Sequence, residues 1–407
     1  MSTFRTASAT NLWSMFYGCS KLKSLDLAHF TTANVLTMPF MFENCTSLEE
    51  VDIRNFTTEK VTDMHEMFCG CSQLRTIYCL NDWTNVSNSV NMFKGCTSLV
   101  GGKDSKCDGK TAILGTYALV DGIGDKKGYF TAPKEVYTEY ADGVLTYKYD
   151  DQRLYSANTT EVYNPKVERF ATYHNDVTSA VIDPSMKDAN LTSTRMMFFG
   201  IGTNQLANMT TISGLENLNT ENVTSMQSMF EGCQSLTELD LSRFKTANVT
   251  STNCMFQSCS NLETLNIALF NIGKMEDMRY MFSGCSKLKT IYCKTDWSTS
   301  GAQSSYMFSG CSALEGGQGT KFNSSVIDKS YARTDDPDND KPGYFTVVES
   351  VAVTIGAMEW ATFVAPYALS FSDVDGLTAY IITGHTGSTV ETVEVSDVPA
   401  NTPVLLN

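Results

Sequence analysis

The apolar positions of this 407-residue chain recur with a long period. The pair Met-Phe stands at Met15-Phe16, Met41-Phe42, Met67-Phe68 and Met92-Phe93, in steps of 26, 26 and 25 residues. It returns at Met229-Phe230, Met255-Phe256, Met281-Phe282 and Met307-Phe308, every step being 26. Each pair is followed at one offset by Cys19, Cys45, Cys71, Cys96, Cys233, Cys259, Cys285 or Cys311, and three residues later by Leu. Such a period marks a repeat architecture. Within a unit, Met and Phe at helical spacing, as in Met38, Met41 and Phe42, predict a short helix. A Gly-Cys or Asn-Cys turn follows, then a strand, at 22–27, 48–53, 236–241 and 262–267. A turn such as His29-Phe30-Thr31-Thr32 leads back to the next unit. One unit cannot bury its own apolar side. Stacked units can, with parallel strands about 4.8 Å apart.

The expected fold class is therefore an α/β repeat solenoid of leucine-rich-repeat type, a parallel sheet with short helices. Its two arrays are joined by a β hairpin bridge and followed by a small all-β C-terminal module. The first array with its cap spans 1–131 and the bridge 132–189, with a hairpin turning at Asp142-Gly143. The second array with its cap spans 190–346, opening on a degenerate unit at 192–199. The all-β module, expected to be truncated, covers 347–407, with β-type runs at 351–355, 361–371, 379–383 and 390–395. Both arrays close alike: Ile77-Tyr78-Cys79 with Trp83 matches Ile291-Tyr292-Cys293 with Trp297. Gly128-Tyr129-Phe130-Thr131 likewise matches Gly343-Tyr344-Phe345-Thr346.

Composition narrows the function. The net charge of -15 opposes nucleic acid, whose phosphates need a basic surface, and opposes attraction to anionic lipid. No apolar run is long enough to predict a membrane span. The first residues lack the pattern of an export signal. They enter in the middle of a repeat, so the chain reads as an excerpt of a longer protein.

The motif Met-Phe-x-Gly-Cys, three residues to Leu, then Leu-Asp-Leu and Phe-x-Thr-x-x-Val stands almost unbroken from Met229 to Val249. In these residues the chain resembles the BspA-like leucine-rich-repeat surface proteins of anaerobic bacteria, over roughly two thirds of its length. The tail, with Trp360-Ala361-Thr362 and Pro399 to Pro403, resembles a β module common at the ends of secreted proteins from the same bacteria. The resemblance implies extracellular or cell-surface display and adhesion. The implied partner is a protein, from host extracellular matrix or another bacterial surface. A repeat scaffold does not by itself fix a ligand.

Candidate chemistry is sparse, and the chain is expected not to be an enzyme and to carry no cofactor. Its four His stand in no triad, and no phosphate loop is present. The periodic cysteines read as a buried ladder rather than as bonded pairs. Cys69, Cys107 and Cys254 fall outside the period and are expected to be more exposed and reactive. His65, Cys69, Cys71 and Cys79 form a weak zinc set. Asp335, Asp336, Asp338 and Asp340 form a weak calcium candidate, a solvated loop being the preferred reading. The strand residues Asp26, Asp52, Tyr78, Asp240, Asn266 and Tyr292 are expected to face outward as a partner-binding stripe, weighed evenly against a merely solvated sheet face. The alternative is a glycan-binding surface in which Tyr78, Tyr292, Trp83 and Trp297 serve as stacking platforms. A hydrolase site near Asp150, Asp151 and Tyr173 is the remotest reading.

Overall fold

A computed structural model describes residues 6–27, 29–110, 113–163, 176–201 and 206–347, together with the strands of the C-terminal segment, for which the backbone alone is described. The chain divides into two compact units. The first comprises Met1–Glu139 and Lys148–Val162, the second Tyr140–Tyr147 and Tyr163–Asn407. The division differs from the four expected segments. It runs through the hairpin and does not set residues 347–407 apart.

In the first unit, β1 (Glu50–Asp52), β2 (Thr76–Tyr78) and β3 (Phe130–Thr131) form a parallel sheet in that order. Val51, Ile77 and Phe130 share one register and are buried. The stretch 22–27 was expected to be a strand of this sheet, but Leu22–Leu27 form none. Their link to the neighbouring rung is a bond from Glu49 N to Lys23 O.

β4 (Glu135–Ala141) and β5 (Val144–Asp150) are the expected hairpin strands. Asp142 and Gly143 between them both have positive φ, 48° and 80°, as the tight turn requires. β6 (Thr159–Val162) belongs to the first unit. In the second unit, the start of β5 pairs in parallel with β7 (Ser179–Ile182), and β7 with β8 (Thr211–Ser213). Further on, β9 (Glu238–Asp240), β10 (Thr264–Asn266), β11 (Thr290–Tyr292) and β12 (Phe345–Thr346) form a second parallel sheet.

β13 (Ala361–Val364), β14 (Leu369–Ser370), β15 (Ala379–Thr386), β16 (Thr389–Val395), β17 (Asp397–Val398) and β18 (Pro403–Leu406) are antiparallel. Four of them make a sheet in the order β13-β18-β15-β16. The run expected at 351–355 lies outside the described residues.

The helix expected at each Met-Phe does not form. The residue just before the Met is left-handed in every copy: Ser14, Phe40, Glu66, Asn91, Met196, Ser228, Cys254, Tyr280 and Tyr306 all have φ between 52° and 60°. A left-handed residue ends any right-handed helix. The backbone bonds run instead from rung to rung: Met38 N to Asp63 O, Phe40 N to His65 O, Phe42 N to Met67 O and Asn44 N to Cys69 O. Alternate N–H groups thus donate to the neighbouring rung, while others between them donate within their own turn, as Glu43 N does to Phe40 O and Met229 N to Met226 O. Met and Phe at this spacing point inward from a turn, an outcome that helical periodicity alone does not separate from a helix.

The core is consequently a set of columns. Phe16, Phe42, Phe68 and Phe93 stack at 5.4, 5.4 and 6.1 Å, the wider gap falling at the 25-residue step. Phe198, Phe230, Phe256, Phe282 and Phe308 stack at 5.1 to 5.6 Å. Each column ends in edge-on aromatic contacts, Phe93 with Tyr129 and Phe308 with Tyr344. The second also begins in one, Tyr147 of β5 meeting Phe198 and bonding Met197 O at 2.6 Å. Tyr147 of the hairpin strand thereby closes the first end of the second column, where the degenerate unit alone was expected to do so.

Because Phe256 is fully buried between two parallel rings, Phe256→Ala is expected to cost about 3–5 kcal/mol. Trp13→Ala, at a position 61% exposed, is expected to stay within about 0.5 kcal/mol. Urea unfolding of the full chain followed by circular dichroism measures both; equal midpoints would contradict the column as the source of stability.

Candidate functional site

The structure gathers most of the expected stripe into two short rows. Asp52 pairs in register with Tyr78, and Tyr78 with Thr131. Asp240, Asn266, Tyr292 and Thr346 follow one another in the second sheet. Asp26 lies on an exposed segment outside these strands. The polar members have local work. Asp52 Oδ1 accepts from Arg54 N, Asp240 Oδ1 from Ser242 N and Asn266 Oδ1 from Ala268 N, each two residues on, so each side chain turns the chain out of its strand. Asp52 also holds the Arg54 guanidinium through Nε and Nη2. Asn266 is buried rather than outward. Tyr78 and Tyr292 are half-buried.

Trp83 and Trp297, proposed as stacking platforms, are 1% and 0% exposed. Each meets a cap ring edge-on, Phe130 at 5.2 Å and Phe345 at 5.1 Å. Their backbone N–H groups donate to Ala118 O and Ala332 O. A buried indole offers no face to a sugar, so these residues belong to the core.

Asp335 does not join the calcium candidate, because its carboxylate turns inward. It is buried and accepts from the N–H groups of Gln318, Thr320 and Gly343 and from the Thr320 hydroxyl. Donors already meet both oxygens, so a cation would face their positive ends. Asp336 accepts from Asn339 Nδ2, and Asp338 and Asp340 lie in the adjoining exposed turn. Asp121 repeats this arrangement in the first unit, accepting from the N–H groups of Lys103, Ser105 and Gly128 and from the Ser105 hydroxyl. Burial alone would raise these two carboxyl groups, but the donors outweigh it and hold both below the ordinary 3.8. Gly101 and Gly316 admit the carboxylates: a Cβ there would lie 2.7 Å and 2.5 Å from Asp121 and Asp335 Oδ2. The shared signal is Tyr-Ala-x-x-Asp, at Tyr117–Asp121 and Tyr331–Asp335.

All 13 cysteines are free thiols. In each interior rung Sγ donates to the Phe carbonyl of the preceding rung at 2.9 to 3.1 Å, as Cys45 does to Phe16 O and Cys259 to Phe230 O. Burial pushes Cys45 up to about 11, Cys79 to about 12 and Cys293 to about 11, so these thiols stay protonated. Cys107, expected to be exposed, is buried and points at Phe93 O, extending the thiol column by one place. Periodic Cys19, at the start of the column, is exposed. Cys69 and Cys254 are half-buried, and burial followed by nearby Glu66 and Glu231 raises their thiols, Cys254 to about 11.

The zinc set is not assembled. His65 Nδ1 lies 2.6 Å from Asp63 Oδ1, and Cys71 and Cys79 are buried. Among the described residues the one group spaced to hold a metal is Glu43, Glu66 and Cys69. Asp150 accepts from Tyr137 Oη and Gln152 N, Asp151 bonds Gln152 Nε2, and Tyr173 lies outside the described residues.

The expected stripe missed the outer face of the turns. Trp13 and Tyr17 are 61% and 54% exposed, and Phe40 sits between Trp13 and His65 at 6.3 and 4.4 Å. In the second unit Tyr280 and Tyr306 stack at 5.2 Å. The legible signal is the variable residue before each Met, aromatic at Phe40, Tyr280 and Tyr306.

Parallel rungs, columns of like side chains and a repeated cap define a repeat protein whose interior is filled by its own periodic residues. The chain belongs to the family described as "Mycoplasma protein of unknown function, DUF285", whose profile matches residues 1–104 and 192–322. A leucine rich cell surface protein of Faecalibacterium prausnitzii A2-165, known from its crystal structure, is 18% identical. That match covers 70% of this chain and 77% of the other, with a TM-score of 0.21. No curated protein matches the chain.

Two outcomes follow from the caps and the thiols. A carboxyl with a lower pKa folded than unfolded stabilises the fold above its unfolded value, and that contribution is lost as pH falls through the folded value. Asp335→Asn is expected to cost about 2–3 kcal/mol at neutral pH and to flatten the loss of stability from about pH 5 downward. Equal pH slopes for variant and parent would contradict this. With a thiol reagent on the native chain, Cys19 should react first, Cys69 and Cys254 slowly, and Cys45, Cys107 and Cys285 after unfolding. Mass mapping of early adducts on Cys107 would refute that order.

Proposed function

We propose that the two Phe columns are the cores of two solenoid arrays of leucine-rich-repeat type, and that the chain is a non-catalytic binding protein of the bacterial cell surface or extracellular space. The expected partner is a protein, of host matrix or another bacterial surface. The BspA-like motif supports display outside the cell. No helix among the described residues is long and apolar enough to cross a membrane.

The observation that carries the binding reading is the large apolar groups left on the surface of rungs whose inward positions are already filled: Trp13, Tyr17, Leu36 and Val90 in the first unit, Leu269 and Tyr306 in the second. Where such groups adjoin, as Trp13 adjoins Phe40 and Tyr306 adjoins Tyr280, exposed apolar surface of this kind marks an interaction site. The groups suited to nucleophilic or acid–base chemistry are committed elsewhere. Cap carboxylates hold backbone donors, His65 is held by Asp63, and the buried thiols of Cys45, Cys79 and Cys293 are protonated. The half-buried Tyr78 and Tyr292 of the strand rows form a second, smaller outward surface.

The test is capture of the purified chain on a panel of host matrix proteins and glycans, with two variant sets. One carries Trp13→Ala, Tyr17→Ala and Tyr306→Ala, the other Tyr78→Ser and Tyr292→Ser. Saturable protein capture that drops at least tenfold in the first set is expected, about the loss of one aromatic anchor or more. Loss confined to the second set would move the site to the strand rows. Absence of saturable capture anywhere on the panel would refute the binding reading.

A further inference from the structure

The turn face of the first unit combines exposed rings with closely placed carboxylates. Backbone bonds from Ser14 N to Pro39 O, Gly18 N to Glu43 O, Phe40 N to His65 O and Asn44 N to Cys69 O hold its rungs one against the next. On them stand Trp13 and Tyr17, both more than half exposed, and the half-buried Phe40. On the same stacked rungs, with Glu43 O accepting from Gly18 N and Glu43 N donating to Phe40 O, stand Glu43 and Glu66, half-buried, a carboxylate oxygen of each and Cys69 Sγ all within 4.8 Å of one another. Glu66 accepts a bond from Asn91 Nδ2 and Glu43 one from Asn44 Nδ2. The nearby cationic groups are His65, already paired with Asp63, and Lys94, which acts on Cys69. Burial and then the charge of Glu66 both push the Glu43 carboxyl up, with His65 acting the other way.

We infer that Trp13, Tyr17, Phe40, Glu43 and Glu66 together receive a basic, arginine- or lysine-bearing segment of a partner protein. This rests on the binding reading above and adds the partner's chemistry. A guanidinium or ammonium over an aromatic face is attracted by the ring quadrupole. Its aliphatic stem lies well against apolar surface. A guanidinium between Glu43 and Glu66 offsets the repulsion of two partly desolvated like charges and makes charge-assisted bonds to both. A neutral sugar would stack on Trp13 but leave that repulsion in place. The chain's net charge of -15 also draws basic partners at long range.

The test uses the full chain and a fluorescein-labelled peptide of alternating arginine and glycine, read by anisotropy. Comparison ligands are the glutamate–glycine peptide and a neutral oligosaccharide of N-acetylglucosamine. Three variants accompany the parent: Trp13→Ala, the pair Glu43→Gln with Glu66→Gln, and a control pair, Glu238→Gln with Glu263→Gln. The control removes the same charge from exposed positions of the second unit. The expected result is saturable binding of the arginine peptide, weakened about tenfold by Trp13→Ala and by the first glutamine pair and unchanged in the control. Equal weakening in the control pair would show unspecific attraction and overturn the inference. So would binding indifferent to Trp13, or Trp13-dependent binding of the oligosaccharide in place of the peptide. If the peptide fails while capture of a matrix protein still depends on Trp13, the basic segment is excluded and the binding reading stands. If both fail, both are excluded.

Discussion

Everything else in this structure depends on hydrogen bonds between neighbouring rungs. A chain with no α-helix among its described residues must satisfy its buried backbone groups by some other periodic means. Here alternate N–H groups of each turn donate to the next rung, Phe42 to Met67 and Phe230 to Met255, while Cys45 and Cys233 donate within the turn to Phe42 and Phe230. That pattern forces successive rungs into one register. Equal side chains then fall on one another and form columns. The Phe rings stack nearly parallel, 1° apart for Phe42 and Phe68 and 1° for Phe256 and Phe282. The thiol beside each ring adds one more rung-to-rung bond, to a Phe carbonyl.

Columns have ends, and the ends consume residues that a binding reading would otherwise claim. Tyr129 and Tyr344 close the Phe columns edge-on, Trp83 and Trp297 pack edge-on against the cap rings Phe130 and Phe345, and Asp121 and Asp335 gather the loop donors around Gly101 and Gly316. Two caps built from the same contacts show why aromatic and acidic residues near the ends of repeats are poor evidence for ligands. Their chemistry is spent on closing the stack. The side chains left over for a partner lie on the outer face of the turns, where Trp13 and Tyr306 are more exposed than the inward Met and Phe beside them.

The division of labour between rows and turns also explains the fate of the strand stripe. The strands are three residues long, so their last polar residue must turn the chain. Asp52, Asp240 and Asn266 do so by accepting the N–H two residues on. Alternation set Asp52 and Asp240 apart from the buried Val51 and Leu239, whereas Asn266 is buried like its neighbour Leu265. Alternation carried no information about how soon the chain must bend.

What the sequence determined by itself is what repeats. The period of Met, Phe, Cys and Leu, the strands at 50–52, 238–240 and 264–266, the hairpin turn at Asp142-Gly143 and the likeness of the two caps were all legible, because each recurs or carries a residue with a conformational signature. What only the tertiary structure decided is what depends on a neighbouring rung. Met and Phe at helical spacing became a bonded turn, since the acceptor that makes a turn preferable to a helix lies one rung, some 26 residues, away. Cys107 entered the core because the next place in the thiol column was open to it. Trp83 and Trp297 went inward to pack edge-on against the cap rings Phe130 and Phe345, which belong to distant parts of the sequence, and Trp13 remained on the surface.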